Sequence, residues 1–78
     1  MKQFTKEQVF EILNRNGIDE NYLENNDNEI ITGEQDWMDC LEEITGKNPY
    51  EDNFSDDDSI KIRDFMDVIE NELFIVIS

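Results

Sequence analysis

The sequence predicts an all-α fold: a small bundle of three to four helices joined by long loops, forming a single domain over residues 1–78. Two observations lead to this expectation. Apolar residues recur at helical spacing in three separate segments, and helix-capping or helix-stopping residues bound those segments. No internal repeat or linker divides the chain. A core of this size gives only marginal stability, so the local signals must agree with one another.

The first helix is predicted at about residues 6–16. Thr5 and Gln8 fit a capping box, in which each residue satisfies a backbone N–H of the other. Gly17 supplies a C-terminal stop, and Ile18 after it can pack back on the helix as in a Schellman ending.

A long polar connection follows over residues 17–31 and is rich in Asn and Asp. In a compact domain, such a loop must be held by its few apolar side chains. We expect Leu23, Ile30 and Ile31 to hold it, with Tyr22 as a further candidate.

The second helix is predicted to begin near Thr32 or Asp36 and to stop at Gly46. Thr32 would open a capping box with Gln35. Four apolar residues are spaced i, i+3, i+4 and i+7, which places them on one face: Trp37, Cys40, Leu41 and Ile44. Cys40 is alone in the chain, and a small buried hydrophobe is its expected role.

The carboxylates of this segment fall largely outside that apolar stripe, so the helix should have one dry face and one acidic face. They are Asp36, Asp39, Glu42 and Glu43.

The last helix is predicted at about residues 60–73. Pro49 forbids a simple continuation of the preceding helix, and Tyr50 and Phe54 could anchor one short helical turn. The run 56–58 places three Asp carboxylates before the last helix, where the macrodipole favours them. The apolar ending Phe74–Ile77 could extend the helix, pair as a short strand, or contact a partner.

The formal charge is −15, from 21 acidic and 6 basic residues. Such a field repels nucleic acid and anionic membranes and attracts basic protein surfaces. We therefore expect a protein partner with a basic surface, no nucleic acid or membrane partner, and a monomer. No secretory signal pattern opens the chain and no stretch is apolar enough to cross a bilayer, so a cytoplasmic location is expected.

The order of these segments resembles the acyl carrier protein family over nearly the whole chain. That family has a first helix, a long loop, a second helix beginning at Asp-Ser-Leu, a short third helix and a final helix. Here Gly17-Ile18 ends the first helix, Leu23 and Asn25-Asn26 resemble the loop segment, Asp36-Trp37-Met38 replaces Asp-Ser-Leu, and residues 60–70 resemble the final helix. The resemblance implies an acidic docking surface and a role near fatty acid or polyketide biosynthesis.

The main departure from the family is Trp37, which occupies the position of the serine that carries phosphopantetheine. An indole offers no hydroxyl, so the site is blocked and no cofactor is expected. Two interpretations of Trp37 remain open, a core aromatic or an exposed docking anchor, and its phase with the apolar stripe favours the core. The resemblance implies these partner-binding residues: Asp36, Trp37, Met38, Asp39, Glu42 and Glu43.

Two other functions must be weighed. A small, strongly acidic protein can act as a decoy or inhibitor that occupies a basic nucleic-acid-binding surface. Residues 53–64 can also be laid on a calcium-binding EF-hand loop, but Asp58 replaces the turn glycine and Asp64 replaces the bidentate Glu. We expect no specific metal site, with Asp56, Asp57 and Asp58 as weak candidates. The chain lacks His, and no nucleophile has an evident base, so an enzyme is not expected.

Overall fold

A computed structural model describes residues 3–78, so the first two residues of the predicted domain lie outside the description. The prediction of a small, mainly helical domain is confirmed. The described residues form four helices and two very short strands, in this order: α1 (Lys6–Arg15), α2 (Glu20–Asn25), β1 (Glu29–Ile30), α3 (Gln35–Thr45), α4 (Asp56–Asn71) and β2 (Val76–Ile77). The predicted second helix is therefore α3.

Helix α1 has the boundaries that its caps predict. The Thr5 backbone N–H donates to Gln8 Oε1 at 2.9 Å, and the Gln8 N–H donates to Thr5 Oγ1 at 3.1 Å. At the other end, the Ile18 N–H donates to the Leu13 carbonyl at 2.8 Å, and Gly17 adopts a φ of 95°. This is a Schellman ending, as the sequence predicts.

The core forms where α1, α3 and α4 pack together. Phe65 of α4 is fully buried, with its ring centroid 5.6 Å from that of Phe4 and 5.8 Å from that of Trp37. Aromatic pairs at these separations add to the stabilisation from burial alone. The apolar residues that are essentially enclosed are Val9, Ile12, Leu13, Ile18, Ile30, Trp37, Cys40, Leu41, Phe65, Val68, Ile69 and Ile75.

The connection over residues 17–31 is not irregular throughout, because it contains α2. Asp19 caps this helix by accepting from the Tyr22 N–H at 3.0 Å. Asp27 and Asn28, with φ of 55° and 60°, then reverse the chain, and the Asn28 N–H donates to the Leu23 carbonyl at 2.7 Å. Asn and Asp tolerate this left-handed conformation better than most residues. Their abundance predicted a loop, whereas here they cap a helix.

The predicted apolar anchors of this connection differ in how deeply they are buried. Ile30 is fully buried, Leu23 packs partly against the core, and Ile31 is half-buried. Tyr22 also packs partly against the core, and its hydroxyl accepts a hydrogen bond from the Ile31 N–H at 3.1 Å.

The apolar tail forms a strand, which was one of the three alternatives. Helix α4 ends at Asn71, and the chain turns at Phe74, which has a φ of 56°. Strand β2 then pairs with β1 in parallel, with Glu29 opposite Val76 and Ile30 opposite Ile77. Extension of the last helix through the tail is thereby excluded.

Helix α4 begins four residues before the predicted start. Ser55 is its N-cap, and a capping box joins Ser55 to Asp58: the Asp58 N–H donates to Ser55 Oγ at 3.2 Å, and the Ser55 N–H donates to Asp58 Oδ2 at 3.0 Å. The prediction followed the apolar stripe and missed this cap, in which Asp replaces the usual Glu. The EF-hand alternative for residues 53–64 is wrong, because residues 56–64 are helical.

The segment between α3 and α4 contains one isolated turn. The Asp52 N–H donates to the Asn48 carbonyl at 2.9 Å, and the Glu51 N–H donates to the same carbonyl at 3.2 Å. Tyr50 is 63% exposed and Phe54 packs partly against the core. This matches the single turn that the sequence allowed: Phe54 packs beside it, and the exposed Tyr50 ring contributes through its hydroxyl, which donates to Gln35 Oε1 at 3.2 Å.

Candidate partner-docking surface

Helix α3 carries the predicted docking residues, and its two ends differ. Its N-cap is Glu34, whose side chain makes no capping bond; the predicted Thr32 capping box is wrong, because Thr32 Oγ1 donates instead to the Ser78 carbonyl at 2.6 Å. Its C-terminal end is at Gly46, as predicted, with a φ of 73° and its N–H bonded to the Glu42 carbonyl at 2.8 Å. Glycine adopts this left-handed cap without a steric penalty.

The inner face of α3 is the predicted apolar stripe. Trp37, Cys40 and Leu41 are buried, and Ile44 is half-buried against the core. Trp37 is only 4% exposed, so its interpretation as a core aromatic is confirmed. The expectation that Trp37 contacts a partner is corrected accordingly, since its ring packs on Phe65 rather than facing solvent.

Cys40 lies fully inside the core, which confirms its expected role as a small hydrophobe. Burial, with a smaller contribution from the nearby carboxylates of Glu43, Asp39 and Asp36, raises the pKa of its thiol to about 12. Because the thiolate is the reactive form of cysteine, the Cys40 thiol is not a nucleophile at neutral pH.

Glu43 is already engaged within the protein. Arg15 of α1 forms an ion pair with its carboxylate, and the Asn16 Nδ2 amide donates to Glu43 Oε1 at 3.1 Å. The hydrogen bond from Arg15 is the main reason that the pKa of Glu43 is lowered, and Asn16 lowers it further. This carboxylate therefore joins α3 to the end of α1 and is less available to a partner.

The remaining carboxylates form an acidic stripe on the outer side of α3. Asp36 lies beside Gly17, where an added Cβ would meet its carboxylate oxygens at 3.1 and 3.2 Å, and Asp39 accepts from the Gln35 side-chain amide at 2.8 Å. Glu42 is exposed, and among residues 3–78 no hydrogen bond or ion pair engages its side chain. We call Asp36, Asp39 and Glu42 the α3 acidic face. Met38 is half-buried against the core.

The weak metal candidates, Asp56, Asp57 and Asp58, lie in the first turn of α4. Asp58 forms an ion pair with Lys47 and completes the capping box. The hydrogen bond from Lys47, and to a lesser extent that from the Ser55 backbone, lowers the pKa of Asp58 to about 2. Asp56 and Asp57 are exposed in the first helical turn. In the part of the chain that the structure describes, no group of three or more Cys, Asp or Glu side chains is arranged to hold a metal ion.

Two features of the surface were not predicted from the sequence. The Tyr22 hydroxyl donates to Glu34 Oε2 at 3.2 Å, which connects α2 to the start of α3. Phe10 of α1 is 48% exposed and lines two surface hollows. The hydrogen bond and the first of these hollows depend on where α2 lies, and no local pattern revealed that helix.

Within residues 3–78, no helix is long and apolar enough to span a bilayer. No protein-family model, curated protein or solved structure matches this chain.

Proposed function

We propose that this chain is an acyl-carrier-like acidic protein that bears no phosphopantetheine and acts by docking on a basic surface of a partner protein. The α3 acidic face would make the contact. The observation that carries the proposal is the division of α3 into a buried apolar side and an outer side on which Glu42 is exposed and has no partner among residues 3–78.

The arrangement of the main helices supports the carrier-type part of the proposal. The Asp36-Trp37-Met38 segment lies at the start of α3, as Asp-Ser-Leu does in the family's second helix, and α4 occupies the place of the final helix. One difference is the short helix, which precedes α3 here, whereas the family has it between the second and final helices. In its place, this chain has the isolated turn at residues 48–52.

Side chains near the blocked position support a non-carrying role. Trp37 replaces the serine and is buried, so it offers neither a hydroxyl nor access. The nearest hydroxyl upstream and the nearest serine downstream already have structural partners, since Thr32 bonds to the Ser78 carbonyl and Ser55 caps α4.

Electrostatic attraction would bring the partner to α3. A net charge of −15 raises the local concentration of basic surfaces and speeds association, and the effect weakens as salt screens it. Complementary charges give orientation and on-rate more than affinity. Glu42 is the residue on which we expect docking to depend most, because Glu43 is already paired with Arg15.

The absence of the prosthetic group can be tested by mass. The chain would be co-expressed with a broad-specificity phosphopantetheinyl transferase, alongside a genuine acyl carrier protein as the positive control, and each purified protein weighed intact. We expect the carrier to gain one phosphopantetheine and this chain to gain none. A gain by this chain would show that an attachment site exists elsewhere on it.

The docking step can be tested with the same transferase as a defined carrier-binding enzyme. We expect the chain to compete with the genuine carrier for modification, with inhibition that weakens between low and high salt. Glu42→Lys should abolish most of the inhibition. The matched control is Glu51→Lys, an identical charge change at an exposed site in the turn before α4, and it should have a small effect.

A decoy for a basic nucleic-acid-binding surface is the second candidate, because exposed carboxylates also lie outside α3. Glu20 and Glu24 lie on α2, and Asp56 and Asp57 on α4. A decoy held by total charge would bind a basic nuclease or DNA-binding protein, and Glu42→Lys and Glu51→Lys would weaken it equally. Equal effects there, with no competition in the transferase assay, would replace the carrier-type proposal with the decoy.

A further inference from the structure

A second surface, away from the α3 acidic face, has the features of a binding site. Phe10 is 48% exposed and forms a shared wall between two hollows. One hollow, of about 480 Å³, lies between α1 and α2 and includes Leu23. The other, of about 410 Å³, includes Leu73 from the end of α4. Isolated exposed apolar residues are ordinary, but adjoining ones that form concave walls mark binding sites.

The rim of this surface is acidic. Glu20, Glu24 and Asp27 line the first hollow, which has no cation among its lining residues, and Glu7 and Glu11 line the second together with Lys6. We use the name Phe10 surface for the two hollows and this rim.

The tail of the chain adds exposed apolar groups next to the first hollow. Asn28, which lines that hollow, donates from Nδ2 to the Phe74 carbonyl at 2.8 Å and accepts from the Val76 N–H at 3.1 Å. Phe74 is 75% exposed and Val76 is 58% exposed. Phe74 also adopts a left-handed φ of 56°, a conformation that is costly for a bulky residue.

We propose that the Phe10 surface binds a basic amphipathic segment of a partner protein. Two apolar side chains from one face of the segment would enter the hollows on either side of Phe10, and Lys or Arg residues beside them would meet the carboxylates of the rim. This is recognition of a helix by a groove, in which a few anchors provide most of the affinity.

The charge of the rim selects this occupant over others. A second copy of the chain would bring the same carboxylates against the rim, and anionic lipid would bring phosphates, so both would be repelled. A neutral apolar ligand would fill the hollows but leave the rim without a function. The proposal is independent of the α3 acidic face, so either can fail without the other.

The test uses synthetic peptides of Leu and Lys, about 14 residues long so that four helical turns present one apolar stripe. Two further peptides serve as controls, one with Glu in place of Lys and one with the same composition in scrambled order. Affinity would be measured by fluorescence anisotropy, and the site mapped by amide chemical shifts in the full chain.

The chain offers a closely matched pair of variants. Phe10→Ser changes the proposed site, and Ile60→Ser removes an apolar residue that is 47% exposed on α4 and belongs to neither hollow. We expect Phe10→Ser to weaken binding of the Leu-Lys peptide by about tenfold, a typical loss for an interface anchor. Ile60→Ser should change it by less than about twofold, and thermal melts would confirm that both variants fold.

Several outcomes would overturn the proposal. These are equal losses in the two variants, equal affinity for the scrambled or Glu-containing peptide, and shift changes centred on α3 instead of on Leu23 and Phe10. Tight binding of vesicles with an anionic lipid fraction, lost in Phe10→Ser, would assign the surface to lipid. A dimer that Phe10→Ser disrupts, seen by light scattering, would assign it to a second copy. Binding confined to the Leu-Lys peptide and lost with Phe10 would establish it.

Discussion

The three-helix core and the α2–tail region are stabilised in different ways. The core of α1, α3 and α4 consists of fully enclosed apolar side chains around Phe65, and both α1 and α4 begin with a capping box. Helix α2 has six residues and none of them is buried. Its surroundings contribute only three enclosed side chains, Ile18, Ile30 and Ile75, and are otherwise held by a pair of two-residue strands and by individual hydrogen bonds, such as that from the Ile31 N–H to the Tyr22 hydroxyl.

The α2–tail region should therefore unfold locally before the three-helix core does. Regions with few buried contacts and short hydrogen-bonded elements have the lowest free energy of local unfolding. The Phe10 surface lies on the seam between the two regions, because one of its hollows has a wall from α1 and another from α2. A partner bound there would hold the weaker region against the stronger one.

The largest expected effect is in the core. Phe65→Ala should lower the free energy of unfolding by about 3–5 kcal/mol, since it deletes a fully buried ring. The matched control is Phe74→Ala, which deletes the same ring at 75% exposure and should change stability by less than about 0.5 kcal/mol. Urea unfolding followed by circular dichroism measures both.

A domain of this length has a total stability of about 4–12 kcal/mol, so Phe65→Ala could leave too little folded protein to measure. Ile69→Val, at another fully buried site of α4, then gives a graded reading and should cost about 0.5–1.5 kcal/mol. Equal losses for Phe65→Ala and Phe74→Ala would contradict the contrast between the two regions.

Acid should reveal the link between Lys47 and Asp58 at the edge of the core. The folded pKa of Asp58 is about 2, below its ordinary value of 3.8. The folded protein therefore binds this proton less readily than the unfolded chain, and the stabilisation is complete above pH 4 and is lost as the pH falls toward 2.

Asp58→Asn should thus have a lower free energy of unfolding than the wild type at pH 7. The difference between the two proteins should become smaller between pH 4 and pH 2. Urea midpoints at several pH values measure it. Asp57→Asn is the matched control for the loss of one charge, since Asp57 is exposed in the same helical turn. If the difference in free energy of unfolding between Asp58→Asn and the wild type does not change with pH, the Lys47–Asp58 pair contributes little to stability.

In the α2–tail region, the Tyr22 hydroxyl should contribute measurably to stability. Tyr22→Phe removes the acceptor of the Ile31 N–H and the donor to Glu34, and we expect a loss of about 0.5–1.5 kcal/mol. Hydrogen exchange should show faster exchange of the Ile31 amide, with the amides of α4 changed little. Tyr50→Phe, at a more exposed tyrosine that donates to Gln35, should leave the Ile31 amide unaffected.

The same contrast explains how much could be predicted from the sequence. Helix α1 with both of its ends, the Gly46 end of α3, and the burial of Trp37 and Cys40 followed from caps and apolar spacing within short segments. Helix α2 was missed because it has no apolar stripe. The pairing of Ile30 with Ile77 joins residues 47 positions apart, and no local pattern specifies it.

The candidate site shows the same limit. Apolar spacing predicted that the carboxylates of α3 lie outside the core. It could not show that Arg15, 28 positions away, engages Glu43 and leaves Glu42 unpaired. Nor could it reveal the Phe10 surface, because the wall opposite Phe10 comes from α2.

The smallest expected effect is in the tail and has the opposite sign. Phe74 adopts a left-handed φ of 56°, which costs a residue with a side chain about 1–2 kcal/mol, and at 75% exposure it gains little from burial. Phe74→Gly removes that cost but adds flexibility to the unfolded chain, so a net gain of about 0.5 kcal/mol is expected from urea unfolding. Phe74→Ala keeps the left-handed strain and should show no gain.

The Phe74→Gly variant also tests whether the strained ring of Phe74 contacts a partner. If Phe74→Gly weakens binding of the Leu-Lys peptide, the chain keeps this exposed ring at a cost in stability because the ring contacts the partner, as strained residues at functional sites do. Loss of stability in Phe74→Gly would instead show that the ring supports the fold, and it would contradict the proposed difference in stability between the three-helix core and the α2–tail region.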